Sequence, residues 1–409
     1  MDFGSLNDYF EIVLSKRLSG TDIDRHISHG HELGGFAKLR PFLGDERRVV
    51  LAHYVYLDDE GSVSVPSQTT WYDSRWNKPH RGPEFRLYYP DVEPVNRARE
   101  GDLTLAALTR ECQLLFVFVD SDSQRQDDVK WLFGIEDDEG RPFRPSRDME
   151  RRIDAFGAEV LRLLGFEVEL PRSAGDFIEE MVELWPDRFP AGREFSRFAR
   201  YASGIELLDD PDVALVEYYN TQTALFMAYE EYERERRLGP LVRSVVDPDY
   251  DQILKVAMSL FQRRRSAAGH ALEYHLEALF EARDIRFTSQ GITEGKEKPD
   301  FLFPGIEEYH DENFPSSGLT LLGAKTTAKD RWRQVLQEGD RVRQKHLLTL
   351  EPAITVDQTN DMRERDLQLV IPRPIHASYT IAQQRWIWTV GEFCDHVLSL
   401  QAQFARADG

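Results

Sequence analysis

Cysteine is nearly absent, with only Cys112 and Cys394 in a chain of 409 residues. Two thiols are too few for a disulfide framework or a zinc cluster built from cysteines. Long apolar runs are missing as well, since no stretch approaches the roughly 18 residues that a membrane-spanning helix requires. The opening residues, MDFGSLNDYFEIVLSKRLSG, carry acids where a secretion signal carries bases, and no small-residue cleavage site follows an apolar run. A cytoplasmic protein with no membrane partner is the expectation. Basic residues are outnumbered, 51 Lys and Arg against 72 Asp and Glu, and the formal net charge is -21. Taken alone, that deficit opposes a nucleic-acid partner, because phosphate contacts need Lys and Arg.

The distribution of charge alters this reading. Residues 261–350 hold 14 Lys and Arg against 14 Asp and Glu, a neutral segment within an acidic chain. The surplus acid sits elsewhere, in runs such as Glu136-Asp137-Asp138-Glu139 and Glu230-Glu231-Tyr232-Glu233. Such runs are mostly solvated faces that keep a protein soluble.

A chain of this length exceeds what one hydrophobic core usually serves, which predicts two domains. The first 120 residues read as short strands, among them residues 9–14, 48–55 and 114–119, separated by Asp, Gly and Pro breaks. Residues 72–86, locally basic with two prolines, read as a loop. Apolar spacing predicts a helix over 149–165, and three prolines between Pro171 and Gly192 suggest a linker. Helices are expected over 194–263, from His270 onward and over 330–346, with strands at 300–303, 319–325 and 367–371. Residues 1–172 are thus expected to be a mainly β domain, 173–194 a linker and 195–409 an α/β domain.

Metal-assisted hydrolysis of a phosphodiester needs carboxylates for Mg2+ and a group that positions water. Pro299-Asp300 opens one predicted strand, Lys325 closes the next, and Glu338 follows with Arg331 and Gln334 on one face of the 330–346 helix. A Pro-Asp pair means little alone, because Pro stands before Asp at 90, 186, 211, 248 and 299. Most such pairs are turn chemistry, and structural salt-bridging is the competing role for all three residues. The acid expected two residues before the lysine is missing, since Gly323 occupies that place, and Glu338 would have to supply it in space.

The runs GITEGKEKPDFLFPGIEEYHDENFP, LLGAKTTAKDRWRQVLQEGDRVRQKHLLTL, RRRSAAGHALEYHLEALF and MRERDLQLVIP closely resemble the catalytic domain of EcoRII-type type II restriction endonucleases. WPDRFPAGREFSRFARYA in the linker, and YFEIVLSKRLSG and YDSRW near the N-terminus, resemble that family more weakly. The resemblance implies a PD-(D/E)xK restriction-endonuclease-like core preceded by a B3-like pseudobarrel, the effector domain. It further implies Mg2+, sequence-specific cleavage of double-stranded DNA at CCWGG-like sites (W being A or T), and a homodimer. A companion DNA methyltransferase protecting the host and regulation by a second DNA copy on the effector domain are also implied. Asp300 and Glu338 would hold Mg2+ while Lys325 orients the water for in-line attack, with no covalent intermediate. Lys329 and Tyr309 align with retained residues and count as supporting catalytic candidates.

By the same resemblance Asp330 and Arg331 would read bases beside Arg333, the fork of an arginine matching guanine O6 and N7. Arg263, Arg264 and Arg265 would contact phosphates or fix the dimer, and Lys16, Arg17, Arg75, Lys78, Arg81 and Arg86 would be the effector-domain contacts. Where relatives carry Ser-Arg-Ala-Gly-Lys, this chain reads Ser266-Ala267-Ala268-Gly269-His270, which places the exact target in question. Two rival roles stand beside the enzyme: a DNA-binding regulator with an inactive nuclease-like domain, and an interaction protein whose acidic faces bind basic partners.

Overall fold

The computed structural model describes residues 3–23, 32–77, 80–135, 144–146, 149–150, 152–166, 168, 172–186, 189–237, 270–328 and 331–405. The chain divides into two compact units, residues 2–169 and residues 170–409. Among the described residues, no helix is long and apolar enough to cross a membrane.

The first unit is mainly β, as expected. Its mixed eight-stranded sheet runs β2-β5-β4-β3-β7-β6-β1-β8. The strands are β1 (Phe10–Arg17), β2 (Glu32–Leu33), β3 (Arg48–Asp58), β4 (Gly61–Asp73), β5 (Phe85–Tyr88), β6 (Leu103–Thr109), β7 (Leu114–Val119) and β8 (Arg144–Pro145). Strands β3 and β7 are parallel, and the other pairs are antiparallel. A tight hairpin joins β3 to β4, where Asp58 Oδ1 accepts from the backbone N–H groups of Glu60 and Gly61 at 2.9 and 3.0 Å. Strand β7 is buried along its whole length, and Phe116 stacks on Tyr54 of β3 with ring centroids 5.0 Å apart. Helices α1 (Arg125–Phe133) and α2 (Ala155–Leu163) follow, the second inside the 149–165 span predicted from its spacing.

The second unit is α/β. Helix α3 (Ile178–Leu184) lies in the segment expected to be a linker. Its Met181 is fully buried in a cluster with Phe195 and Phe198 of α4 (Gly192–Ser203) and Leu225 and Tyr229 of α5 (Pro211–Arg237). The prolines that suggested a linker only flank this helix. After α6 (Ala271–Ala282), five strands form a sheet in the order β13-β12-β11-β10-β9. They are β9 (Thr288–Ser289), β10 (Phe301–Phe303), β11 (Thr320–Lys325), β12 (Lys345–Thr349) and β13 (Leu367–Val370). Strands β9, β10 and β11 pair antiparallel, whereas β11, β12 and β13 run parallel.

The period of two along β10 separates the two faces of this sheet. Leu302 joins the core of Leu321, Trp332, Val335, Leu347 and Leu369 on one side. Phe301 and Phe303 meet Phe280 of α6 on the other, with centroids 5.4 and 5.3 Å apart. Helices α7 (Ile306–His310), α8 (Trp332–Val335), α9 (Val356–Glu364) and α10 (Val390–Ala405) belong to the same unit.

The helix predicted over 330–346 is a correction. It survives as the single turn α8, because Gly339 takes a left-handed backbone (φ 64°) and the chain enters β12 at Lys345. Trp332, Val335 and Val342 are buried as their spacing suggested, but from a turn and a loop.

Candidate active site

Antiparallel pairing of β10 with β11 brings the start of one strand beside the end of the next. Phe301 pairs with Leu322, so Asp300 lies level with the residues just beyond it. Asp300 is only 4% exposed, and its Oδ2 accepts from the Lys325 ammonium at 2.6 Å and from the Ala324 backbone N–H at 2.7 Å. Its Oδ1 accepts from the side-chain amide of Gln290 at 3.2 Å. The long excursion between the two strands thus returns Lys325 to Asp300.

Glu338 follows α8 in a turn and is 9% exposed, and its Oε2 has no hydrogen-bond partner among the described residues. Burial, and next the negative charge of Asp300, push its carboxyl up to about 7, with Lys325 opposing. Asp300, Lys325 and Glu338 therefore belong to one electrostatic cluster. An acid at 323 has no room, since a Cβ on Gly323 would lie 2.5 Å from Val335 Cγ2. The helix turn that fills that space leads directly to Glu338.

The Pro211-Asp212 pair does different work. Asp212 of Pro211-Asp212 is fully buried, and its carboxylate accepts from the backbone N–H groups of Val390 and Gly391 at 2.7 and 3.1 Å, capping α10.

Three residues escaped the sequence reading. Glu273 on α6 accepts from the Gln290 amide at 3.3 Å, and burial followed by the charge of Asp300 raises its carboxyl above the usual range. The only signal for it was an acid bordering the Leu272, Leu276 and Phe280 stripe. Gln290 bridges Glu273 and Asp300. Glu351, buried just beyond β12, accepts from the Ala328 backbone N–H and so fixes the loop after Lys325.

The remaining candidates scatter. Tyr309 is buried, and its hydroxyl donates to Glu294 Oε2 at 2.5 Å. Burial and that hydrogen bond push the phenol up to about 12. A Cβ built on Gly339 would stand 3.8 Å from the Tyr309 hydroxyl, so the ring supports the turn beside Glu338. Arg331 and Arg333 are exposed, and the Arg333 guanidinium lies 4.8 Å from the Trp332 ring centroid. Lys78, Arg263, Arg264, Arg265, Lys329 and Asp330 lie outside the described residues.

In the first unit Lys16 is paired with Asp22 at 2.6 Å, each side chain 10% exposed, which ties this amine into the fold. Arg17 donates to the Gly101 carbonyl at 2.9 Å and to Gln126 Oε1 at 3.0 Å. Arg75 pairs with Glu84 at 2.8 Å, and Arg86 pairs with Glu32 at 2.6 Å, both half-exposed. Arg81 is exposed.

Among the described residues, no group of three or more His, Cys, Asp or Glu side chains is placed to hold a metal ion. Mg2+ asks for less, commonly one or two carboxylates with water filling the other positions. Two buried carboxylates, one of them with an oxygen that has no hydrogen-bond partner among the described residues and the other paired with a lysine, form a hard-oxygen donor set that fits Mg2+.

The second unit is thus an α/β domain with a strand-opening Asp, a strand-closing Lys and a following Glu in one electrostatic cluster. The family model described as EcoRII C terminal matches residues 226–394. The type II restriction enzyme EcoRII of Escherichia coli is 38% identical over 223 residues, 54% of this chain and 54% of that protein. The type II restriction enzyme SsoII of Shigella sonnei is 26% identical over 163 residues, 37% of this chain and 52% of that protein. The chain spans about half the length of the curated relatives it matches. Metal-depleted Ecl18kI in complex with uncleaved, modified DNA is a structural neighbour at TM-score 0.45 and 21% identity, over 58% of this chain and 86% of that one. The same enzyme with uncleaved DNA gives TM-score 0.42 and 21% identity, over 56% of this chain and 85% of that one.

Proposed function

We propose that the protein is a Mg2+-dependent type II restriction endonuclease that hydrolyses double-stranded DNA at CCWGG-like sites. The observation that supports this reading best is the Asp300–Lys325 pair at 2.6 Å with the buried Glu338 carboxyl in the same electrostatic cluster. Asp300 and Glu338 are the residues that would hold the metal. Mg2+, when bound, supplies charge stabilisation to the scissile phosphate.

The chain's own residues do the rest. The Lys325 ammonium, anchored by Asp300, orients a water for in-line attack on phosphorus and offsets the growing negative charge. One P–O bond forms as the opposite one breaks, the proton of the attacking water passes to bulk water, and the departing sugar oxygen takes a proton from bulk water. Glu351 holds the loop after Lys325 in place.

Arg331, exposed at the start of α8, is the proposed reader of guanine, with Asp330 beside it and Arg333 flanking. Arg263, Arg264 and Arg265 are proposed for phosphate or dimer contacts. Within the first unit Arg75, Arg81 and Arg86, on and beside the connection from β4 to β5, are the proposed contacts for a second DNA copy that relieves inhibition of the nuclease. A homodimer suits cleavage of both strands of a near-palindrome, and a companion methyltransferase would protect host DNA.

Digestion of a plasmid of known sequence with purified protein and Mg2+, followed by mapping of the ends, tests this reading. Discrete ends at CCWGG-like sites are expected. Intact plasmid despite tight duplex binding would instead favour a DNA-binding regulator.

A further inference from the structure

Asp300 distributes its two oxygens unequally. Oδ2 is occupied by the Lys325 ammonium and the Ala324 N–H, while Oδ1 has one partner among the described residues, the Gln290 amide. The same amide nitrogen donates to Glu273 Oε2 at 3.3 Å, so a single neutral group with two hydrogens spans two acids from different elements.

The backbone is arranged for this. Gln290 has φ 54°, a left-handed conformation that non-glycine residues adopt at a cost. Its own N–H donates to the Asp300 carbonyl at 3.2 Å, which locks the turn to the residue whose carboxylate it serves. Gln290 is exposed, so packing does not explain a long polar side chain on strained backbone. Lysine here would compete with a cation for the acids, and glutamate would add like charge. An amide does neither, and each carboxylate oxygen it touches keeps a lone pair.

We propose that Gln290 is a positioning residue: its amide, aimed by left-handed backbone, ties Glu273 to Asp300 so that a divalent cation meets the acids in one fixed arrangement. This rests on the nuclease reading of Asp300 and Glu338. Groups that hold metal-binding side chains in place typically contribute about 10- to 100-fold in metal affinity.

The test is titration of the full-length protein with Mn2+, a cation with the same preference for oxygen donors, counting free ion by electron paramagnetic resonance. Each variant's melting temperature is taken in chelator. Gln290→Gly suits the backbone and removes the amide. Gln290→Met keeps the length and the left-handed strain without a donor. Both are expected to raise the Mn2+ dissociation constant about 10- to 100-fold while melting with the parent in chelator.

Parental Mn2+ affinity in both variants would overturn the proposal. So would a loss that appears only together with a fall in melting temperature, which marks a purely structural role. Asp300→Asn separates the two levels. If it binds Mn2+ like the parent, the metal-site reading fails and the role of Gln290 fails with it. If it loses Mn2+ while the Gln290 variants do not, only the positioning role fails.

Discussion

Gly323 and Val335 occupy adjoining space, such that a Cβ at 323 would fall 2.5 Å from Val335 Cγ2. This relationship accounts for the missing acid two residues before Lys325. Strand β11 is buried from Thr320 to Ala324, and α8 presses on it with Val335. Gly323→Ala is expected to destabilise by about 1–3 kcal/mol through overpacking, measured by urea unfolding. Val335→Ala, which opens the same space, should recover part of that loss when combined with it. Equal additive losses in the double variant would show that the two positions are not in conflict.

A second expectation concerns acid. His346 on β12 is deeply buried, and its carbon-rich surroundings, with the neighbouring His396, push the imidazole down to about 3 from 6.5. Its Nε2 has no partner among the described residues. The unfolded chain therefore takes up a proton below about 6.5 that the fold refuses. Stability should be full above that pH and decline as pH falls toward about 3. Between pH 6.5 and 5 this one group accounts for at most about 2 kcal/mol. Urea midpoints near pH 7 and near pH 5 check it, and His346→Phe should flatten the difference.

The boundary between units leads to a third. Met181 on α3 is buried against Phe195 and Phe198, so a fragment starting at 195 loses part of its core. A fragment of residues 170–409 should melt cooperatively. One beginning at 195 should lose at least about 2–5 kcal/mol, the usual cost of emptying a buried methionine site. If the longer fragment cleaves single-site DNA faster than the full chain does, the inhibitory role proposed for the first unit gains its support. Slower cleavage would count against that role.

Some of this could be read from residue order and some could not. Asp300 and Lys325 were legible because each borders a short apolar strand, and strands 300–303 and 319–325 are local patterns. Strand β12 was hidden, since Lys345–Thr349 follows apolar residues at helical intervals that seemed to continue the turn at Trp332. Only the left-handed Gly339 and the pairing with β11 and β13 break that apparent helix. Glu273 and Gln290 were invisible because no spacing rule links a helix residue or a strained turn to a carboxylate further along the chain. Basic residues misled in a different way. Lys16 looks available in the sequence, yet its partner Asp22 takes it out of solvent.

A fourth expectation separates support from chemistry at Tyr309. Tyr309→Phe removes the hydroxyl that donates to Glu294 and receives the Arg341 backbone N–H at 3.3 Å. A loss of stability of about 0.5–1.5 kcal/mol is expected for the lost hydrogen bonds, because Glu294 is exposed and can turn to water, with cleavage reduced only modestly. A cleavage defect as severe as that of Lys325→Ala, without loss of stability, would place the phenol in the chemistry instead.

The most direct measurement compares Lys325→Ala with the parent, following Mg2+-dependent cleavage and duplex binding side by side. Cleavage should fall by about 100-fold or more while binding stays close to parental. Cleavage at the parental rate would remove Lys325, and with it the Asp300–Lys325–Glu338 centre, from the reaction.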